Sequence, residues 1–121
     1  MTLPLGVRLG AQQDRPVAIQ VGEVTAVAWP DQLELASDLA RHAGSPAEWP
    51  GLGRRDLGPL RLIIVPDGHR LDSLSSGRAP SWGVGVAMPG LRTILLRADQ
   101  GNLYTTLRHE LAHLALHQAV D

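Results

Sequence analysis

The 121-residue chain contains no cysteine. That excludes a disulfide framework and any thiolate-ligated zinc site, so a metal here has only histidines and carboxylates to hold it. Lysine is absent too: all eleven basic residues are arginines, scattered along the chain. A one-sided preference of that kind reads as genome composition rather than function. The one adjacent pair, Arg54-Arg55, falls in a Gly/Pro-rich stretch and reads as a solvated loop. With a formal net charge of −1 and no basic run, the chain lacks the footprint of a nucleic-acid binder. No apolar run approaches the ~18 residues that a membrane-spanning helix requires. Met1-Thr2-Leu3-Pro4-Leu5-Gly6 has neither the charged nor the apolar region of a secretory leader. The compartment stays unassigned.

What is present is a globular composition, 44% hydrophobic and 19% charged. The length suits a single domain over residues 1–121 with one core. Residues 1–16, with Pro4, Gly6, Gly10 and Pro16, read as a loosely held lead-in. Val17 to Trp29 is rich in β-branched residues and predicts one long strand, or two short ones broken near Gly22. Pro30-Asp31 opens a helix with Asp31 as N-cap and Glu34 completing a capping box. Leu33, Ala36, Leu39, Ala40 and Ala43 form its apolar stripe, Gly44 ends it, and His42 in the last turn serves as a cation near the helix C-terminus.

Residues 44–59 carry three Pro/Gly clusters and predict a long connection. Leu60 to Val65 is a buried strand stopped by Pro66-Asp67-Gly68, and His69 to Ser76 is a short helix or irregular loop. Trp82 to Met88 and Leu91 to Arg97 are strand-like runs joined by a Pro89-Gly90 turn. Gly83 and Gly85 inside the first run mark a bulge or a close backbone approach. Asn102 is the predicted N-cap of the last helix. The element order predicts an α+β domain: a small mixed or antiparallel sheet packed on one face by helices.

The last helix carries the chemistry. Leu103, Leu107, Leu111 and Leu114 repeat at spacings of three and four and predict the face turned to the sheet. His109, His113 and His117 form a second row at spacing four. Within it, His109-Glu110-x-x-His113 is the H-E-x-x-H pattern: two imidazoles one turn apart on one face, both able to reach one divalent cation. Glu110 is rotated about a quarter turn from His109, where it can address a water on that cation. The pattern can arise by chance. Against chance, it falls on a segment that reads as a helix on independent grounds, clear of the leucine stripe. His117 lies about 12 Å along a straight helix from His109, too far for a third ligand. A metzincin would need a glycine at position 116, which is Leu116, and that family is excluded. His117 reads as a neighbour of the site or a surface residue.

Three segments in order carry a family resemblance: Ala79-Pro80-Ser81-Trp82-Gly83-Val84-Gly85-Val86-Ala87, then Thr93-Ile94-Leu95-Leu96-Arg97, then Thr106-Leu107-Arg108-His109-Glu110-Leu111-Ala112-His113. They resemble the P-x-W-x-x-G-x-A strand, the following hydrophobic strand and the T-L-x-H-E-x-x-H helix of gluzincin zinc metallopeptidases, specifically the peptidase-MA-like bacterial families. The resemblance implies a zincin-like N-terminal subdomain in which His109 and His113 bind zinc and Glu110 is the general base. It also implies that Trp82–Met88 is the sheet edge bordering the cleft, where an extended peptide substrate adds as a further strand. Gly83 and Gly85 suit that approach, with a packing role as the alternative. Similar proteins are often exported or membrane-tethered.

Such families take a third ligand, a glutamate, from a W-x-x-E-G-type segment downstream of the helix, and no such segment follows before Asp121. Residues 1–121 are therefore expected to be the N-terminal part of a longer catalytic domain, weak in zinc binding and hydrolysis by themselves. The competing expectation is a catalytically inactive zincin-like module for binding or assembly. A third is self-association through exposed apolar surface.

Overall fold

The computed structural model describes residues 15–67, 69, 71, 85–99 and 101–120. The lead-in up to residue 14, most of 69–76 and the Trp82-Gly83-Val84 part of the predicted strand lie outside these residues.

The fold is α+β. Two strands, β1 (Val17–Val21) and β2 (Val24–Ala28), are followed by helix α1 (Leu33–Gly44) and a small hairpin of β3 (Ala47–Trp49) and β4 (Gly53–Arg55). Then come β5 (Leu60–Val65), β6 (Gly85–Met88), β7 (Thr93–Arg97) and helix α2 (Leu103–Val120). The main sheet has the order β1-β2-β5-β7-β6. Its inner pairings, β2 with β5 and β5 with β7, are parallel, while β1–β2 and β6–β7 are antiparallel. The sheet is therefore mixed, with β6 at one edge.

Alternation along the strands explains the layers. Leu62, Ile64, Ile94 and Leu96 point to one face, where they join Leu39 and Ala40 of α1 and Leu107 and Leu111 of α2 in a single core. Ile63, Val65 and Leu95 point to the other face and cluster with Trp29, Leu71, Val86 and Met88. The middles of the two innermost strands, Leu62–Val65 and Ile94–Leu96, are continuously apolar because apolar side chains pack on both faces there, while Arg61 and Arg97 stand at their ends. Both helices pack the same face, as the sequence predicts. Burying each leucine of α2 is worth about 1.5–3 kcal/mol, several times any difference in helix propensity.

The long β-branched run breaks into β1 and β2 at Gly22, whose φ of +59 is one that L side chains rarely adopt. The start of α1 differs from the predicted capping box. Pro30–Gln32 form a 3-10 turn, and neither Trp29 ahead of it nor Gln32 ahead of α1 makes a side-chain cap hydrogen bond. Pro30, with its fixed φ, starts the turn and draws Asp31 inside it, and the Leu33 N–H is given to the Pro30 carbonyl instead of to a capping side chain. Gly44 is the last residue of α1, and the Ser45 Oγ donates to the Arg41 carbonyl at 3.1 Å.

The stretch after α1 is a further correction. The predicted connection contains the β3–β4 hairpin, turned through Gly51 and Gly53 at φ +76 and +79. It is held from outside: the Arg108 guanidinium lies 4.5 Å from the centre of the Trp49 ring, and its Nη2 donates to the Glu48 carbonyl at 3.1 Å. Arg55 Nη1 donates to Gln118 Oε1 at 3.0 Å, and Gln118 Nε2 donates to the Asp56 carbonyl at 3.3 Å. These contacts bind the hairpin to one flank of α2.

Between β6 and β7 the predicted Pro89-Gly90 turn is a 3-10 turn, Pro89–Leu91, so Leu91 lies outside the strand and β7 begins at Thr93. Arg92 then takes a left-handed conformation at φ 49. Its side chain offsets that strain by donating to the carbonyls of Pro59, at 2.6 Å, and Leu57. No helix among the described residues is long and apolar enough to cross a membrane.

Candidate metal centre

Helix α2 is fixed at its start, along its buried face and on both flanks. Asn102 is its cap: the Thr105 N–H donates to Asn102 Oδ1 at 3.2 Å. Just before it, Arg97 Nε and Nη2 meet the two carboxylate oxygens of Asp99 at 3.0 and 3.1 Å. That hydrogen-bonded pairing, helped by the attraction of opposite charges, holds the Asp99 carboxyl below its ordinary range and raises Arg97. Leu103, Leu107, Leu111 and Leu114 are all buried and set the roll of the helix.

On the side away from the hairpin, α2 presses against the edge strand. A Cβ at Gly85 would lie 2.9 Å from both Leu96 Cδ2 and Thr106 Cγ2, and 3.3 Å from the Leu95 carbonyl oxygen. A side chain at Gly85 would crowd the contact of α2 with the edge strand, which supports the packing role; Gly83 lies outside the described residues. The contact also orients the site. Glu110 and His113 follow Thr106 by four and seven residues and so share its flank. The H-E-x-x-H segment consequently borders β6, the edge of the sheet.

His109 and His113 are exposed, with ring centres 5.0 Å apart and ring planes at 80°. Two imidazoles bound to one tetrahedral zinc through bonds of about 2.0–2.1 Å hold their ring centres about 5 Å apart, so the spacing fits the ion. It is also the spacing of an ordinary edge-to-face ring contact. Glu110, beside them, is only 8% exposed. It makes no hydrogen bond or ion pair among the described residues, yet its carboxylate oxygens are not fully enclosed; the enclosed and unpartnered side-chain atom there is Trp49 Nε1. Glu110 thus sits at the border of the leucine face, not in the open row of histidines.

His117 is exposed and has an interaction partner of its own. His42 meets the Tyr104 ring edge-on at 5.4 Å, on the α1 side of α2. Among the described residues no group of three or more His, Asp or Glu side chains converges as a metal site. This part of the chain offers two nitrogen donors on open surface and an adjacent, largely buried carboxylate. A cavity of about 110 Å³ lined by His42, Trp49, Arg55 and Arg108 lies on the opposite flank, against the hairpin.

Sequence reasoning identifies the histidine pair, the glutamate, the cap and the leucine face. It misses the Arg108–Trp49 and Gln118–Asp56 ties, which join residues some sixty positions apart and leave no local pattern. No family model, curated protein or solved structure matches the chain. The functional reading rests on the residues and their geometry.

Proposed function

We propose that this chain belongs to a zinc-dependent metallopeptidase of the gluzincin type, with His109 and His113 as zinc ligands and Glu110 as general base. The observation that carries the reading is the composite flank of α2. Two exposed imidazoles at a spacing that suits one zinc ion, and a shielded carboxylate one residue along, lie beside a sheet edge. When bound, zinc supplies Lewis-acid polarisation of a carbonyl and activates water at neutral pH. Glu110 takes a proton from the attacking water and delivers it to the leaving amine. Among the described residues β6 is the edge strand, and it offers backbone groups to an extended peptide, which would lie as a sixth strand alongside the histidines. A third protein ligand comes from outside the described residues.

A second reading, a catalytically inactive zincin-like module for binding or assembly, is favoured by the absence of a convergent group of three ligands among the described residues. Hydrolysis of a fluorogenic peptide library by the longest form the gene encodes, zinc-loaded, separates the two. The peptidase reading predicts chelator-sensitive cleavage and a loss of about 10²–10⁴-fold in kcat for Glu110→Gln with zinc retained. Absence of metal-dependent cleavage, or a Glu110→Gln variant equal to wild type, refutes it in favour of the module.

A further inference from the structure

The outer face of α2 carries more than two histidines. His109, His113, Leu116 and Val120 follow one another at spacings of four, three and four, the alternation that places residues along a single seam between two packed helices. All four are exposed, and the apolar pair strongly so, Leu116 at 53% and Val120 at 74%. An apolar side chain at that exposure is unremarkable by itself. Two of them continuing a histidine pair along one seam, clear of the core, is a different matter.

Where no third ligand is supplied from elsewhere in the protein, coordination chemistry names one occupant for the seam. Zinc in a closed site takes four ligands in tetrahedral geometry. This chain presents two imidazoles at a fitting spacing, and the described residues bring no third ligand to them. A twofold axis beside α2 doubles two imidazoles to four. We infer that a second copy of this chain docks on this face with the two α2 helices parallel and in register, one zinc ion held by His109 and His113 of each copy. Parallel alignment brings Leu116 against the partner's Leu116 and Val120 against the partner's Val120. An antiparallel pairing about the histidines would set these side chains against the polar start of the helix, Asn102 and Thr105. Two apolar residues per copy form too small a seam to hold a dimer alone, so the association depends on the metal. In this state Glu110 has no part, and the closed coordination shell leaves no open position for a substrate. The dimer is a non-catalytic state of the same metal pair.

The inference rests on the zinc reading of His109 and His113 but not on peptidase activity. The test is the molar mass of the tag-free 121-residue chain by light scattering after size exclusion, combined with the zinc content of each peak. With zinc, the expected result is a dimer with one zinc per two chains, reverting to monomer with a chelator. His113→Ala is expected to remain monomeric. Leu116→Ser/Val120→Ser, both at exposed positions that the fold does not need, is expected to dimerise at least tenfold more weakly while still binding zinc. A monomer carrying one zinc per chain overturns the dimer and leaves the zinc reading standing. A chain that binds no zinc overturns both. A dimer indifferent to chelator, or to the seam substitutions, also overturns the inference.

Discussion

Replacing Gly85 by alanine tests how the candidate site is positioned. Gly85 lies outside the positive-φ range, so alanine is compatible with its backbone. On that count alone the change would stabilise the chain by about 0.4–1 kcal/mol, through reduced freedom of the unfolded state. The added methyl, however, would stand 2.9 Å from Leu96 Cδ2 and from Thr106 Cγ2, with the Leu95 carbonyl oxygen at 3.3 Å behind them. Leu96 is fully buried and the carbonyl belongs to the sheet, so relief must come from repacking Leu96 within the core or from Thr106 and α2 giving way. Overpacking of this kind costs about 1–3 kcal/mol. The net expectation is destabilisation of about 1–2 kcal/mol, a fall in Tm of roughly 3–10 °C for a domain of this size. Urea denaturation measures it directly. Thr106→Ser removes the opposing methyl and keeps the hydroxyl that donates to the Asn102 carbonyl. Combined with Gly85→Ala it should recover about half the loss, a coupling of at least 0.5 kcal/mol in the double-mutant cycle. A Gly85→Ala protein as stable as wild type, or strictly additive effects in the cycle, would refute the close approach of α2 to the sheet edge.

Other expectations follow from single contacts. Asn102→Ala leaves the first turn of α2 uncapped and should cost about 1 kcal/mol in denaturant unfolding, whereas Asn102→Asp should stay within a few tenths. Arg92→Gly relieves a left-handed conformation worth about 1 kcal/mol but removes two hydrogen bonds from a charged group, about 1.5–3 kcal/mol each; with partial exposure discounted, a net loss of about 1 kcal/mol is expected, and a more stable variant would count against the clamp. By NMR titration the Asp99 carboxyl should ionise below the ordinary aspartate range, and Arg97→Gln should return it upward. Because its folded value is depressed, the pair's small contribution to stability is present above the unfolded aspartate value and disappears as pH falls through the folded one.

Much of this fold is legible in the sequence because its signals are local. The strand Leu60–Val65 is an apolar run, interrupted only by Arg61, between turn residues, and the leucine stripe of α2 repeats at helical spacing; both appear as read. Asn102 is legible because capping uses a neighbour's N–H three residues away. Asp31 misleads for the same local reason: the capping-box pattern is present, but the proline before it changes where the turn begins. The β3–β4 hairpin escapes notice because its stability comes from Arg108 and Gln118, far along the chain. Of the candidate site, residue identity and helical spacing are readable in advance. The burial of Glu110 and the contact of Thr106 with the edge strand are not, since both depend on how α2 is rolled against β6.

Calorimetric titration of zinc into the tag-free chain, beside His109→Ala, His113→Ala and Glu110→Gln, tests the central claim most directly. The account predicts saturable binding that falls at least tenfold in either histidine variant and persists when Glu110 is replaced. Zinc that fails to bind, or that binds equally well without His113, would contradict it.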